Sequence, residues 1–137
     1  MEKFQRISWE PKYTVHDEEL DRQHRKLFEI TNKLIDKYES GFEECFDTLK
    51  ELVEYLSEHF KSEQLVMIKI NYWAYDRHEK EHQQFINKVQ EFIGSYQKGQ
   101  QNLTVDILRF LRDWIFSHTT SFDLKYGEIL QISKRSK

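Results

Sequence analysis

The sequence predicts an all-α protein, an antiparallel up-down-up-down four-helix bundle preceded by an extended N-terminal arm. Three observations carry this prediction. One proline and four glycines punctuate 137 residues, too few for the many turns of a β-rich fold. Apolar residues recur at steps of three and four over four separate stretches, which is the spacing of one helix face. Each stretch is about 20 residues long, or about 30 Å as a helix. Only short breaks separate the stretches, so neighbouring helices run antiparallel.

Residues 1–16 lack the helical period. Ile7, Trp9, Pro11, Tyr13 and Val15 fall at every second position, which suits an extended segment, and Pro11 opposes a helix there. The arm is expected to pack its aromatic residues across the bundle. His16, at its end, lies outside any helical stripe and is read as exposed. Asp17 is placed to cap a first helix of about 17–40, with Glu18 and Glu19 in its first turn. Leu20, His24, Leu27, Phe28, Thr31, Leu34, Ile35 and Tyr38 form its inward stripe, and Gly41 ends it.

A second helix, about 42–68, carries Phe42, Cys45, Phe46, Leu49, Leu52, Val53, Leu56, Phe60 and Met67, with His59 beside the stripe and Glu63 on it. Asn71-Tyr72-Trp73 makes the turn. The third helix, about 73–98, presents Tyr75, His78, His82, Phe85, Val89, Phe92 and Tyr96, and Gly99 ends it. Asn102 or Thr104 starts a fourth helix of about 103–122, with Ile107, Leu111, Trp114, Ile115, His118 and Phe122 on one face. Asp123 follows His118 by five residues, a little off that face. Gly127 and a short final segment with Ile129, Leu130 and Ile132 complete the chain.

Composition narrows the function classes. The length fits a single domain spanning 1–137. A net charge of -3 gives no electrostatic case for nucleic acid or an anionic membrane, and the basic end, residues 134–137, is short enough to be a solvated tail. No apolar run approaches the roughly 20 residues of a membrane span, and residues 1–5 hold no apolar core of a signal peptide. Cys45 is the single cysteine, so no intrachain disulfide forms; it reads as a small buried hydrophobe too far along its helix to reach Glu63. A cytoplasmic protein, a monomer with no recognisable protein acceptor, is the expectation.

The polar residues on the inward stripes need a different explanation. His59 and Glu63 are four apart and project together, as do His78 and His82. Taken singly, each histidine reads as a hydrogen-bonded core residue. Taken together, five of the six histidines (His24, His59, His78, His82 and His118) fall on or beside inward stripes, with Glu63 and Asp123 among them. Burying that set without partners would cost several kcal/mol per group, more than a domain's stability margin. A metal centre satisfies all of them, and imidazole with carboxylate suits iron, manganese or zinc. Five nitrogens, two bridging carboxylates and one oxo or hydroxo bridge leave a single position open on two octahedral ions. An open position in a nitrogen-rich site is a place for a small ligand such as O2. The oxygen-rich pattern of ferritin-like carboxylate proteins is absent.

These residues resemble the hemerythrin family in its single-domain bacterial form. The resemblance spans nearly the whole chain: the aromatic arm, Leu20-Asp21-Arg22-Gln23-His24, His59-Phe60 with Glu63 and Met67, His78-x-x-x-His82, Trp114 leading to His118-x-x-x-x-Asp123, and Tyr126. It implies two irons with a bridging oxo or hydroxo group. His78, His82 and His118 would hold one iron, His24 and His59 the other, and Glu63 and Asp123 would bridge them. O2 would bind end-on at the second iron, beside a pocket of Ile115, Thr119, Phe60 and Leu111. Two positions depart from the family: Thr119 stands where an apolar residue is usual, and Trp73 where proline is frequent. The Thr119 hydroxyl either bonds back to the Ile115 carbonyl or reaches the pocket. The resemblance implies reversible O2 binding for transport, storage, delivery or sensing. The rival is a di-iron oxidase or peroxidase-like enzyme that consumes O2 or peroxide.

Overall fold

The computed structural model describes residues 5–38, 42–99 and 105–135. Among them the regular structure is helical throughout: α1 (Glu18–Tyr38), α2 (Phe42–Lys69), α3 (Tyr75–Gln97), α4 (Val105–Ser117) and α5 (Asp123–Arg135), with a π-helical turn, His118–Phe122, joining the last two into one rod. The four rods form the predicted antiparallel bundle. Gly41, Asn102 and Thr104 lie outside the described residues.

The arm is strapped to α1. The Ile7 N–H donates to Asn32 Oδ1 at 2.9 Å and the Asn32 amide donates back to the Ile7 carbonyl at 2.8 Å. Ile7 is buried, and Trp9 and Tyr13 pack half-buried on the core. Where an extended chain is predicted, Pro11–Tyr13 instead makes a single 3-10 turn. Proline at its first position fixes φ and lacks only an N–H that would have had no partner there. Beyond the turn, Asp21 on α1 gathers the arm's end: it accepts from the Val15 N–H at 2.9 Å and the Thr14 hydroxyl at 2.5 Å.

Asp17 caps α1 as its sequence position predicts, accepting from the Leu20 N–H at 2.9 Å. The predicted stripe is buried from Leu20 to Ile35, with Tyr38 packed against the core. At the end of α2, Asn71 adopts φ 53°, the Tyr72 N–H bonds to the Met67 carbonyl at 2.9 Å, and the Asn71 N–H bonds to the Ile68 carbonyl at 3.0 Å. This pair of bonds closes the helix, and asparagine tolerates the left-handed conformation it requires. Gly99, φ 72°, follows the end of α3.

The fourth rod corrects the prediction. Expected to stop near 122, it continues as α5 to Arg135. Gly127 is no terminator: a Cβ built there would lie 2.8 Å from Val15 Cα, so glycine is what lets the arm press against the helix.

Buried apolar residues fall into two clusters. The larger includes Leu27, Leu34, Leu49, Leu56, Phe60, Phe85, Leu111 and Ile115. The smaller holds Val15, Leu20, Met67, Tyr72 and Tyr126. Along every rod the residues between the two clusters are the inward histidines and acids. The bundle thus carries a polar layer sandwiched between two greasy ones.

Candidate metal centre

Every rod contributes to this layer. α1 supplies His24, α2 His59 and Glu63, α3 His78 and His82, α4 leads into His118, and α5 opens with Asp123. The i,i+4 pairs on α2 and α3 face inward as helix geometry requires. His118 and Asp123 are the exception, since five residues overshoot one turn of an α-helix. The π-helical turn removes the mismatch. Its i→i+5 bond, from the Asp123 N–H to the His118 carbonyl, sets the two side chains one above the other. His118 is 3 % exposed and Asp123 0 %, and their ligand atoms Nε2 and Oδ1 lie 3.1 Å apart.

The seven side chains form two groups whose ligand atoms all lie within 4.8 Å of one another: Glu63, His78, His82, His118 and Asp123, and His24, His59, Glu63 and Asp123. The carboxylates belong to both. His24 Nε2 is 3.0 Å from Asp123 Oδ2, His78 Nε2 is 3.0 Å from Asp123 Oδ1, and His82 Nε2 is 2.9 Å from His118 Nε2. His59 Nε2 lies 2.8 Å from Glu63 Oε1, and His78 Nε2 3.6 Å from Glu63 Oε2. Yet the oxygens of Glu63 and Asp123 and both nitrogens of His24 and His78 make no hydrogen bond. Donors that lie close without bonding to each other suit a shared cation. Ligands about 2.1 Å from an octahedral ion at right angles stand about 3 Å apart.

Without a cation the layer is electrostatically tense. Burial and the Asp123 charge would raise Glu63, but the charge and close nitrogen of His59, with help from His78, lower it to about 2. Burial likewise opposes ionisation of Asp123, and His118, His24 and His78 hold it well below its ordinary value. Burial would lower His78, but Asp123 and Glu63 raise it to about 10. His82 falls to about 3 through burial, which the neighbouring His118 and His78 charges reinforce against Glu63. Two anions and five imidazoles, edge-to-face or tilted against one another, therefore meet out of water.

Three of the four residues expected beside O2 come together in the structure. Phe60, Ile115 and Thr119 line a crevice beside His59 and His118, together with Leu27, Leu56 and Trp114, and it is too tight for a water molecule. Leu111 does not join them: one helical turn before Ile115, it lines a separate cavity with Leu49, Val89 and Phe92. Leu27 and Leu56 take the place expected of it. His16 stands outside the layer with φ 64°, its carbonyl bonded by Lys134.

Three residues of the site carry no stripe signal. Gln23 Oε1 lies 2.7 Å from His59 Nδ1, and Glu79 Oε1 3.2 Å from His82 Nδ1, with Gln64 donating to the other Glu79 oxygen at 2.7 Å. Glu79 could have been found from its position three residues before His82, one turn back on the same helix.

Known proteins agree with the geometry. The profile of the Hemerythrin HHE cation binding domain matches residues 15–130. The bacteriohemerythrin of Methylococcus capsulatus is 32% identical over 80% of this chain and 85% of its own length. That of Clostridium acetobutylicum is 32% identical over 86% and 96%, and a hemerythrin of Sipunculus nudus 28% over 89% and 92%. A crystal structure of wild-type hemerythrin superposes with a TM-score of 0.84 at 29% identity, covering 90% of this chain and 97% of that one. With five imidazoles arranged around two shared carboxylates at the middle of such a bundle, this chain belongs to the hemerythrin family, whose domains bind O2 at a di-iron centre.

Proposed function

We propose that the seven side chains hold the two irons as two unequal halves, and that the protein binds O2 reversibly, for storage, transport, delivery or sensing, without consuming it. The single observation behind this is the division of the donors: His78, His82 and His118 on one side, His24 and His59 on the other, with Glu63 and Asp123 common to both. The half with fewer imidazoles is the one with room for an additional ligand. The irons supply the electrons that O2 binding draws on. The chain's own residues do the rest. Glu63 and Asp123 would contribute to both irons, the five imidazoles would complete the two ligand sets, and Leu27, Leu56, Phe60 and Ile115 keep water from the crevice beside His59 and His118.

That exclusion of water favours a carrier over the rival di-iron oxidase, because turnover requires protons and an exit for product. Among the described residues no helix is long and apolar enough to cross a membrane, which supports a cytoplasmic role. A monomer is the expected working unit. Elemental analysis of iron-replete protein is expected to give two irons per chain, and an aerobic visible spectrum should disappear on deoxygenation and return in air. One metal per chain, stoichiometric zinc, or rapid irreversible loss of the spectrum would refute the proposal.

A further inference from the structure

We propose that Gln23 is a positioning residue of the centre. Its amide oxygen holds His59 with Nδ1–H turned away from the carboxylates and Nε2 turned toward them. As a neutral acceptor it keeps the His24–His59 half a weaker electron donor than the half containing His82. The inference rests on the ligand assignment proposed above.

The orientation of the Gln23 amide follows from its neighbours. Its Nε2 lies 3.2 Å from Glu19 Oε1 and 3.3 Å from Ser62 Oγ. An ionised carboxylate only accepts, so the NH2 group must face Glu19, and Arg22, which pairs with Glu19, keeps that carboxylate in place. The atom left for His59, 2.7 Å from its Nδ1, is the amide oxygen. An amide oxygen also only accepts, so Nδ1 carries the hydrogen. Nε2, 2.8 Å from Glu63 Oε1, is then the nitrogen whose lone pair can face a cation. A run of contacts thus leads from Arg22 at the surface through Glu19 and Gln23 to His59.

The other half is backed differently. His82 Nδ1 faces the carboxylate of Glu79 at 3.2 Å, and Gln64 steadies that carboxylate from the far side. The Nδ1 atoms of His24, His78 and His118 have no hydrogen-bond partner among the described residues. One imidazole in each half is therefore backed, by an amide in one and a carboxylate in the other. A charged acceptor strengthens the N–H bond's polarisation and makes the imidazole a better donor, and a better donor favours the more oxidised ion. The amide at Gln23 leaves the smaller half the harder one to oxidise.

The test uses the full chain loaded with iron and two readouts, iron affinity against a chelator and the midpoint potential of the centre. Gln23→Leu is expected to weaken iron binding by about 10-fold or more, the usual result of removing a ligand's hydrogen-bond partner. Gln23→Glu, made together with Glu19→Gln so that an amide and not a second carboxylate meets it, keeps the acceptor, adds charge, and is expected to retain both irons at a lower midpoint potential. Ser62→Asp places a carboxylate next to Gln23 without touching His59 and is expected to shift the potential less. An unshifted or raised potential in that double variant, or an equal shift in Ser62→Asp, overturns the inference even if Gln23→Leu fails to fold. Wild-type protein with two irons upholds the ligand assignment separately, so the two ideas fail independently.

Discussion

Thr119 follows His118 and lines the crevice, and its immediate neighbours show what it does not do. Thr120 and Ser121 bond back to the carbonyls of Phe116 and Ser117, at 2.8 and 2.6 Å. Thr119 makes no such bond to Ile115 among the described residues, and it is one of the residues that line the crevice. A proton donor at the crevice would hasten oxidation of the centre. Thr119→Ile is therefore expected to slow decay of the oxygenated spectrum in air several-fold, while an unchanged or faster decay would mean that Ile115 and its apolar neighbours close the crevice alone. His78 gives a second prediction at this scale. In the metal-free protein Asp123 and Glu63 hold its pKa at about 10, so at pH 7 it carries a proton that a cation must displace. Because uptake releases a proton below that value, metal affinity should rise as pH rises through neutrality. Calorimetry in buffers of different ionisation enthalpy would detect the release; pH-independent uptake with no released proton would contradict it. The inward histidines and acids were legible in the sequence because a polar residue on an apolar stripe stands out. Gln23 was not, because a glutamine beside a stripe looks like any half-exposed polar residue until its partner His59, 36 positions away, is in place.

The fourth rod shows why elements are harder to read than residues. A regular α-helix would turn Asp123 away from His118, and the inward stripe read from the sequence stops at Phe122. The structure resolves both through local geometry that no period of 3.6 encodes: a π-helical turn and a glycine used for close approach. Deleting Thr120 should turn the segment into plain α-helix with Asp123 four residues after His118 and still on its face, whereas inserting one alanine after Thr120 should swing Asp123 off that face and take one carboxylate from both halves of the centre. The expected result is iron retained by the deletion and most iron lost by the insertion, with helix content by circular dichroism kept in both; undiminished iron in the insertion would show that the register of Asp123 against His118 is incidental. Gly127→Ala tests the second feature. Alanine favours the helix by about 1 kcal/mol, but its Cβ would meet Val15 Cα at 2.8 Å, and forcing backbone apart costs about 1–3 kcal/mol. A lowered thermal midpoint is expected, and an unchanged or raised one would mean the arm moves aside without cost. By contrast, the first three rods were readable, since capping by Asp17 and uninterrupted apolar stripes point to the same answer as the tertiary packing.

At the scale of the whole molecule, the polar layer divides the core into two apolar clusters that touch different parts of the chain. The larger joins four rods along much of their length. The smaller joins Val15 of the arm, Leu20, Met67, Tyr72 and Tyr126, and within the rods the histidines and acids lie between it and the larger. Without a cation that layer sets Glu63 against Asp123 in a site sealed from water, with ligand atoms that have no hydrogen-bond partner. Buried charge of this kind weakens the folded state unless something binds it. Iron bound to the native state and not to the unfolded chain supplies what is missing and stabilises by linkage. At a free metal concentration of 1,000 times Kd the gain is about 4 kcal/mol, and at roughly 4 °C per kcal/mol for a chain of this size the midpoint should rise by roughly 10 °C or more. The loss on iron removal should also be uneven. The smaller cluster is parted from the larger by the layer, while the arm is also held to α1 by Ile7 and Asn32, so hydrogen exchange in the metal-free protein should rise first at Tyr72 and Tyr126, and least at Leu34 and Leu49 within the larger cluster. Equal midpoints with and without iron, or uniform exchange along the rods, would show that the two clusters hold together without the metal.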